Sequence, residues 1–208
     1  MNLLAIESSS RKLIVGLYLN SKIFKLSEEK INDTASSLPL LTKEILSNNS
    51  VKLNDLEGIC LSKGPGSFTS LRIGMSFVKG LSMSADIPIL PISTFDSLIY
   101  NKAFNCSALI YSHGETFYLC NYNFKNDQLK KSQPKLVSFK EVLELKNKII
   151  YNGPKSIFNN LELKKIDIEY VDLSIENIIE IAKNEFNFLK TKSLDELIPD
   201  YIGNFKIR

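Results

Sequence analysis

Gly64-Pro65-Gly66 follows a short apolar run at residues 59–62 and precedes a long, nearly uncharged helical pattern that opens at Ser67. A strand, a glycine turn and a helix start leave backbone N–H groups pointing outward, which is chemistry that can hold an anion. The spacing departs from both common phosphate fingerprints. Thr69 stands where a dinucleotide loop has its third glycine, and no Lys-Ser or Lys-Thr pair follows at P-loop spacing. A tight turn with Ser67 as helix cap accounts for the same residues. Glu7 could orient a water or a metal-bound phosphate, and Ser8, Ser9 and Ser10 could contact one, although acidic and serine-rich hairpin turns are ordinary. His113 is the single histidine, with no Cys or carboxylate cluster at ligand spacing around it. That excludes a His-based metal centre, and without a nucleophile elbow it disfavours Ser-His-Asp catalysis. No residue is singled out as catalytic or metal-binding.

The elements that would position these residues are readable. Residues 3–6 and 13–19 form a hairpin around the polar turn 7–12, and residues 108–111 and 117–122 repeat the design around the turn 112–115. Two such hairpins, each followed by helical segments, predict an α/β chain with an internal duplication and domains 1–104 and 105–208. Residues 34–48 read as a helix with Leu38, Leu41, Ile45 and Leu46 on one side, and Pro39 is expected only near its first turn. Ser138 with Glu141 forms a capping box, and Ser174 starts a helix carrying Ile175, Ile178, Ile179, Ala182, Phe186 and Leu189.

The helix after the glycine turn is the most informative. At about 100° per residue, Phe68, Leu71, Gly74, Met75, Val78, Leu81 and Ala85 form one broad arc that Ile73 and Phe77 extend. Arg72, Ser76, Lys79, Ser82 and Met83 leave only a narrow polar edge. Such a helix needs cover on two sides, from its own chain or from another protein, and Gly74 and Gly80 permit close backbone approach.

The chain has 208 residues, 44% hydrophobic and 24% charged, enough to bury a substantial core. No apolar run reaches membrane-spanning length and no signal-type segment opens the chain, so a cytoplasmic location is expected. Cys60, Cys106 and Cys120 read as reduced thiols. A net charge of +3 is mild, and the scattered lysines read as solvated faces.

Taken together, "LLAIESSS", "GPGSFTSLRIG", "IPILPISTFDSL", "PKLVSFKEVL" and "IPDYI" resemble the TsaB (YeaZ) family over nearly the whole chain. The resemblance implies an actin-like ATPase fold of two related subdomains, the second reduced. It implies a non-catalytic partner of TsaD, which transfers threonylcarbamoyl to N6 of adenosine 37 in tRNA to give t6A. TsaE, an ATPase, completes the assembly, and a homodimer forms when TsaD is absent. No cofactor is implied for this chain alone, and a nucleotide at the partner interface remains open. On this resemblance, Gly64, Pro65, Gly66, Ser67, Phe68 and Thr69 set the turn and helix start. Leu71, Arg72, Gly74, Met75, Phe77, Val78 and Leu81 are expected at the subunit interface. The chain carries Glu7 where relatives usually have Asp, Ser70 where they have Gly, and Tyr111-Ser112-His113 where Asp-Ala-Arg is common. An active ATPase or sugar kinase of the same superfamily, or a peptidase, are the competing readings.

Overall fold

All five residues of β1 (Leu3–Glu7) are buried, as a strand sandwiched on both faces requires. The structure, a computed structural model, describes residues 1–29, 33–126, 128–158 and 166–202. β1 pairs antiparallel with β2 (Leu13–Leu19), which pairs antiparallel with β3 (Lys22–Glu28). On its other side β1 runs parallel to β4 (Gly58–Gly64), and β4 to β5 (Ile89–Ser93), giving the order β3-β2-β1-β4-β5.

The crossovers of this sheet are α1 (Thr34–Asn48) and α2 (Phe68–Ala85), and the short helix α3 (Thr94–Leu98) follows β5. Leu38 and Ile45 of α1 and Met75 and Val78 of α2 pack with Leu4, Ile6, Val15, Leu17, Ile59 and Leu61 in one buried cluster. Gly16, alternating with Val15 and Leu17, faces the other way and lies against Ile175 and Ile179 of α5 (Ile175–Asn184). The sheet therefore has helices on both faces. Asp33 caps α1 by accepting a 3.1 Å hydrogen bond from the Ser36 amide. Pro39 lies within α1, beyond the expected first turn. It is tolerated there because Ala35, whose carbonyl loses its usual partner, is exposed and can bond water.

A second sheet has the order β11-β10-β6-β7-β8, built on the antiparallel pair β6 (Cys106–His113) and β7 (Thr116–Lys125). β8 (Gln128–Lys131) and β9 (Lys135–Ser138) both pair antiparallel with β7, while β10 (Lys148–Asn152) is parallel to β6 and to β11 (Ile168–Tyr170). Reading outward from β1 or from β6, each sheet has two antiparallel neighbours on one side and two parallel ones on the other. This is the duplication suggested by the two hairpins. Among the described residues the second sheet's connections carry only the four-residue helix α4 (Phe139–Val142) and a 3-10 turn at Lys155–Phe158, where the first has helices of 15 and 18 residues.

The chain divides into two compact units. One comprises Met1–Ser97 with Leu173–Asp200; the other comprises Leu98–Asp172 with Tyr201 and Ile202. The division expected at residue 104 lies near the Ser97 boundary, but residues 173–200 return to the first unit. The reason is the apolar face of α5, whose Ile175, Ile178, Ile179 and Ala182 are fully buried against the first sheet. The helix expected through Leu189 breaks at Glu185, so that Phe186 and Leu189 sit on a separate turn, α6 (Phe186–Leu189).

Candidate functional site

Four of the sequence segments named above meet around the glycine turn, through residues of the first unit. β4 ends at Gly64, whose φ of +115° suits glycine, and the Gly64–Pro65 bond is cis. Gly64 pairs with Ser93 at the end of β5, just before Thr94. Ser67 N donates to Ser9 O at 2.7 Å, and a side chain on Gly66 would overlap that same carbonyl and come 2.7 Å from Ser9 Cβ. From the other side, Asp200 N donates to Lys63 O at 2.8 Å and the Asp200 carboxylate pairs with Lys63 Nζ at 3.3 Å. The turn is clamped between the β1–β2 connection and the C-terminal segment.

Glu7 lies beneath this contact with no solvent exposure. Its Oε1 accepts 2.6 Å hydrogen bonds from both the amide and the hydroxyl of Ser9, and Ser8 N donates to Ser62 Oγ at 3.3 Å. Burial pushes the Glu7 carboxyl above the ordinary range, opposed by the Ser9 and Ser62 hydrogen bonds. Its Oε2 and the buried hydroxyls of Ser8, Thr94 and Ser97 have no hydrogen-bond partner among the described residues. A buried carboxyl at this position supplies no positive charge to hold a phosphate.

Two expectations need correction. Ser67 occupies the N-cap position of α2, but its side chain caps nothing; its hydroxyl reaches Ser70 Oγ at 3.1 Å and its amide is spent on Ser9. Leu71, Gly74, Met75 and Val78, expected at a subunit surface, are buried inside this chain. α1 lies beside α2 on the same sheet face and shares the wide arc with the sheet. Gly74 serves an internal approach as well, since a Cβ there would stand 2.5 Å from Ser8 Oγ. Arg72 is exposed, with its guanidinium 3.9 Å over the half-buried Phe68 ring, and Thr69 is exposed. Phe77 and Leu81, with Ile73, line the partly open edge of the core, and Gly80 faces open space. His113 is exposed in its hairpin turn beside Ser112, 3.0 Å away. Among the described residues no three His, Cys, Asp or Glu side chains gather to hold a metal ion, and no helix is long and apolar enough to cross a membrane.

A family model described as "TsaD: tRNA N6-adenosine threonylcarbamoyltransferase" matches residues 29–197. A "tRNA threonylcarbamoyladenosine biosynthesis protein TsaB" from Buchnera aphidicola subsp. Acyrthosiphon pisum is 30% identical, covering 88% of this chain and 98% of the relative. The chain belongs to this wider family and, within it, to TsaB. A second TsaB, from Buchnera aphidicola subsp. Baizongia pistaciae, is 28% identical over 97% of each chain. The solved "YeaZ from Pseudomonas aeruginosa" superposes with a TM-score of 0.79 at 18% identity, covering 97% of this chain and 99% of that one. The fold is the actin-like ATPase fold, with the second subdomain reduced. In this TsaB chain four of the five segments that carry the family resemblance meet at the glycine turn. Ser9 and Asp200 cannot be picked out as its partners from the sequence, because the two hydrogen bonds that clamp the turn use backbone groups that any residue possesses.

Proposed function

We propose that this chain acts in t6A synthesis as a non-catalytic subunit that pairs with TsaD and activates it. TsaE joins the pair, tRNA is reached through the complex in the cytoplasm, and the chain forms a homodimer when TsaD is absent. The observation that carries the reading is the Ser67–Ser9 hydrogen bond at 2.7 Å, with Gly66 packed on the Ser9 carbonyl. The Ser67 N–H, which would face an anion at the start of α2, is turned to an internal contact, over a buried carboxyl. What the turn does instead is launch α2, whose partly open apolar edge of Ile73, Phe77 and Leu81 suits helix packing against a partner. The names of the full-length relatives support the pathway. Reconstitution tests the proposal: tRNA, threonylcarbamoyl-adenylate and TsaD should give t6A only when this chain is added. Equal modification without it would overturn the reading, as would transfer by this chain alone.

A further inference from the structure

The second unit carries a charge feature apart from the α2 edge proposed to meet TsaD. From Lys125 to Lys148 there are seven lysines against Asp127, Glu141 and Glu144, a surplus of four in a chain whose net charge is +3. Spread along the sequence, these lysines look like ordinary solvated positions. Strand register gathers three of them. Asn123 pairs with Lys130, Lys125 with Gln128 and Leu119 with Lys135, and residues 119, 121, 123 and 125 of β7 share one face. Lys125, Lys130 and Lys135 therefore lie on the same face as Asn121, Asn123 and Gln128, and all three lysines are exposed.

Lys125 and Lys130 are diagonal neighbours, about 7 Å apart at their backbones, and Lys135 lies six residues down β7, about 20 Å from the first. Among the described residues none of these three forms an ion pair. Like charges on one diagonal repel, and an anion laid along the row relieves that repulsion. The row contains no aromatic side chain for base stacking, so it fits a phosphate backbone and not unpaired bases.

We infer that this face of β7, β8 and β9 binds the phosphate backbone of a folded RNA, with Lys125, Lys130 and Lys135 as the charge contacts. The inference rests on the proposed role in t6A synthesis, which supplies tRNA as the RNA. It is tested by fluorescence anisotropy of labelled tRNA with the full chain, alone and in complex with TsaD. Wild type is compared with K125A/K130A/K135A and with the charge-preserving triple Arg variant, at salt between about 50 and 200 mM. The alanine variant should bind at least tenfold more weakly, with a log–log salt slope shallower by about 2–3, close to 0.9 per lost contact. The Arg variant should retain binding, and circular dichroism should match wild type for both. Unchanged affinity and slope in the alanine variant would overturn the inference, as would no measurable tRNA binding by either form of wild type. So would a loss seen only on phosphatidylserine vesicles. Dependence of t6A formation on the chain is read separately in the reconstitution. A chain that TsaD needs but whose variant binds tRNA normally would sink the inference and leave the proposed function standing.

Discussion

Replacing Gly66 by alanine tests whether the glycine turn is a lock or a cradle. The added Cβ would overlap Ser9 O and lie 2.7 Å from Ser9 Cβ and 2.9 Å from Ser9 C, all of it backbone or the root of a short side chain. Nothing flexible can yield, so the β1–β2 connection and the turn must separate. Overpacking of this kind costs about 1–3 kcal/mol. Losing the Ser67–Ser9 hydrogen bond adds about 1 kcal/mol. A total of about 2–4 kcal/mol corresponds to a melting temperature lower by about 4–16 °C for a chain of this size. Gly80→Ala is the matched control. It lies in the same helix, meets nothing within 4 Å, and should stabilise by about 0.5–1 kcal/mol through helix propensity. Thermal unfolding by circular dichroism, with urea titration for the free energies, gives both numbers. If Gly66→Ala melts with wild type while Gly80→Ala rises as expected, the turn is not held by Ser9. The anion-binding alternative would then reopen.

Other outcomes follow from the same geometry. Glu7 has a raised carboxyl pKa in the folded state, so the native form holds its proton more tightly than the unfolded form does. Its contribution therefore lowers stability as pH rises from the ordinary value of 4.5 through the raised folded value, and levels off above it. Glu7→Gln should flatten that decline in urea midpoints measured from pH 5 to 8, and an unchanged slope would contradict it. Phe77→Asp should abolish co-elution with TsaD on gel filtration, at a modest loss of stability because Phe77 is half-buried, while far-UV circular dichroism is retained. If the variant unfolds, Phe77→Ser and Leu81→Ser carry the test, and normal co-elution of both would refute a partner surface there. Cys60, Cys106 and Cys120 are buried, and burial raises the Cys60 and Cys106 thiols. All three should resist a thiol reagent until denaturant is added, and stoichiometric labelling of the native protein would argue against this core.

Both hairpins, the helix cap at Ser174 and the capping box at Ser138 were legible because each is local. The Ser174 hydroxyl accepts from Asn177 N at 3.4 Å, and Glu141 returns to Ser138 N at 2.8 Å. The return of α5 to the first sheet was not legible. Its apolar stripe of Ile175, Ile178 and Ile179 announces that it must be covered but not by which sheet. Glu7 shows the same limit. A carboxylate between an apolar run and three serines reads as an exposed turn residue. Only the register of β1 against β4, which brings Ser62 alongside, makes it a core residue.

The wide apolar arc of α2 illustrates how a correct physical observation can support two different partners. The helix does need cover on two sides, and the chain itself supplies much of both, from the sheet and from α1. Leu71, Met75 and Val78 are accounted for by that internal packing, so they say nothing about a second subunit. What remains for a partner is narrower: the half-exposed edge of Ile73, Phe77 and Leu81, with Gly80 beside it lacking any neighbour. A glycine in an exposed helix interior costs about 0.5–1 kcal/mol relative to alanine. In the isolated chain nothing at Gly80 offsets that cost, whereas a helix packed closely over it would. Gly80→Leu, which leaves the monomer intact but fills that space, separates the two cases. It should weaken association with TsaD if the bare backbone is a contact, and leave association unchanged if α2 serves only its own fold.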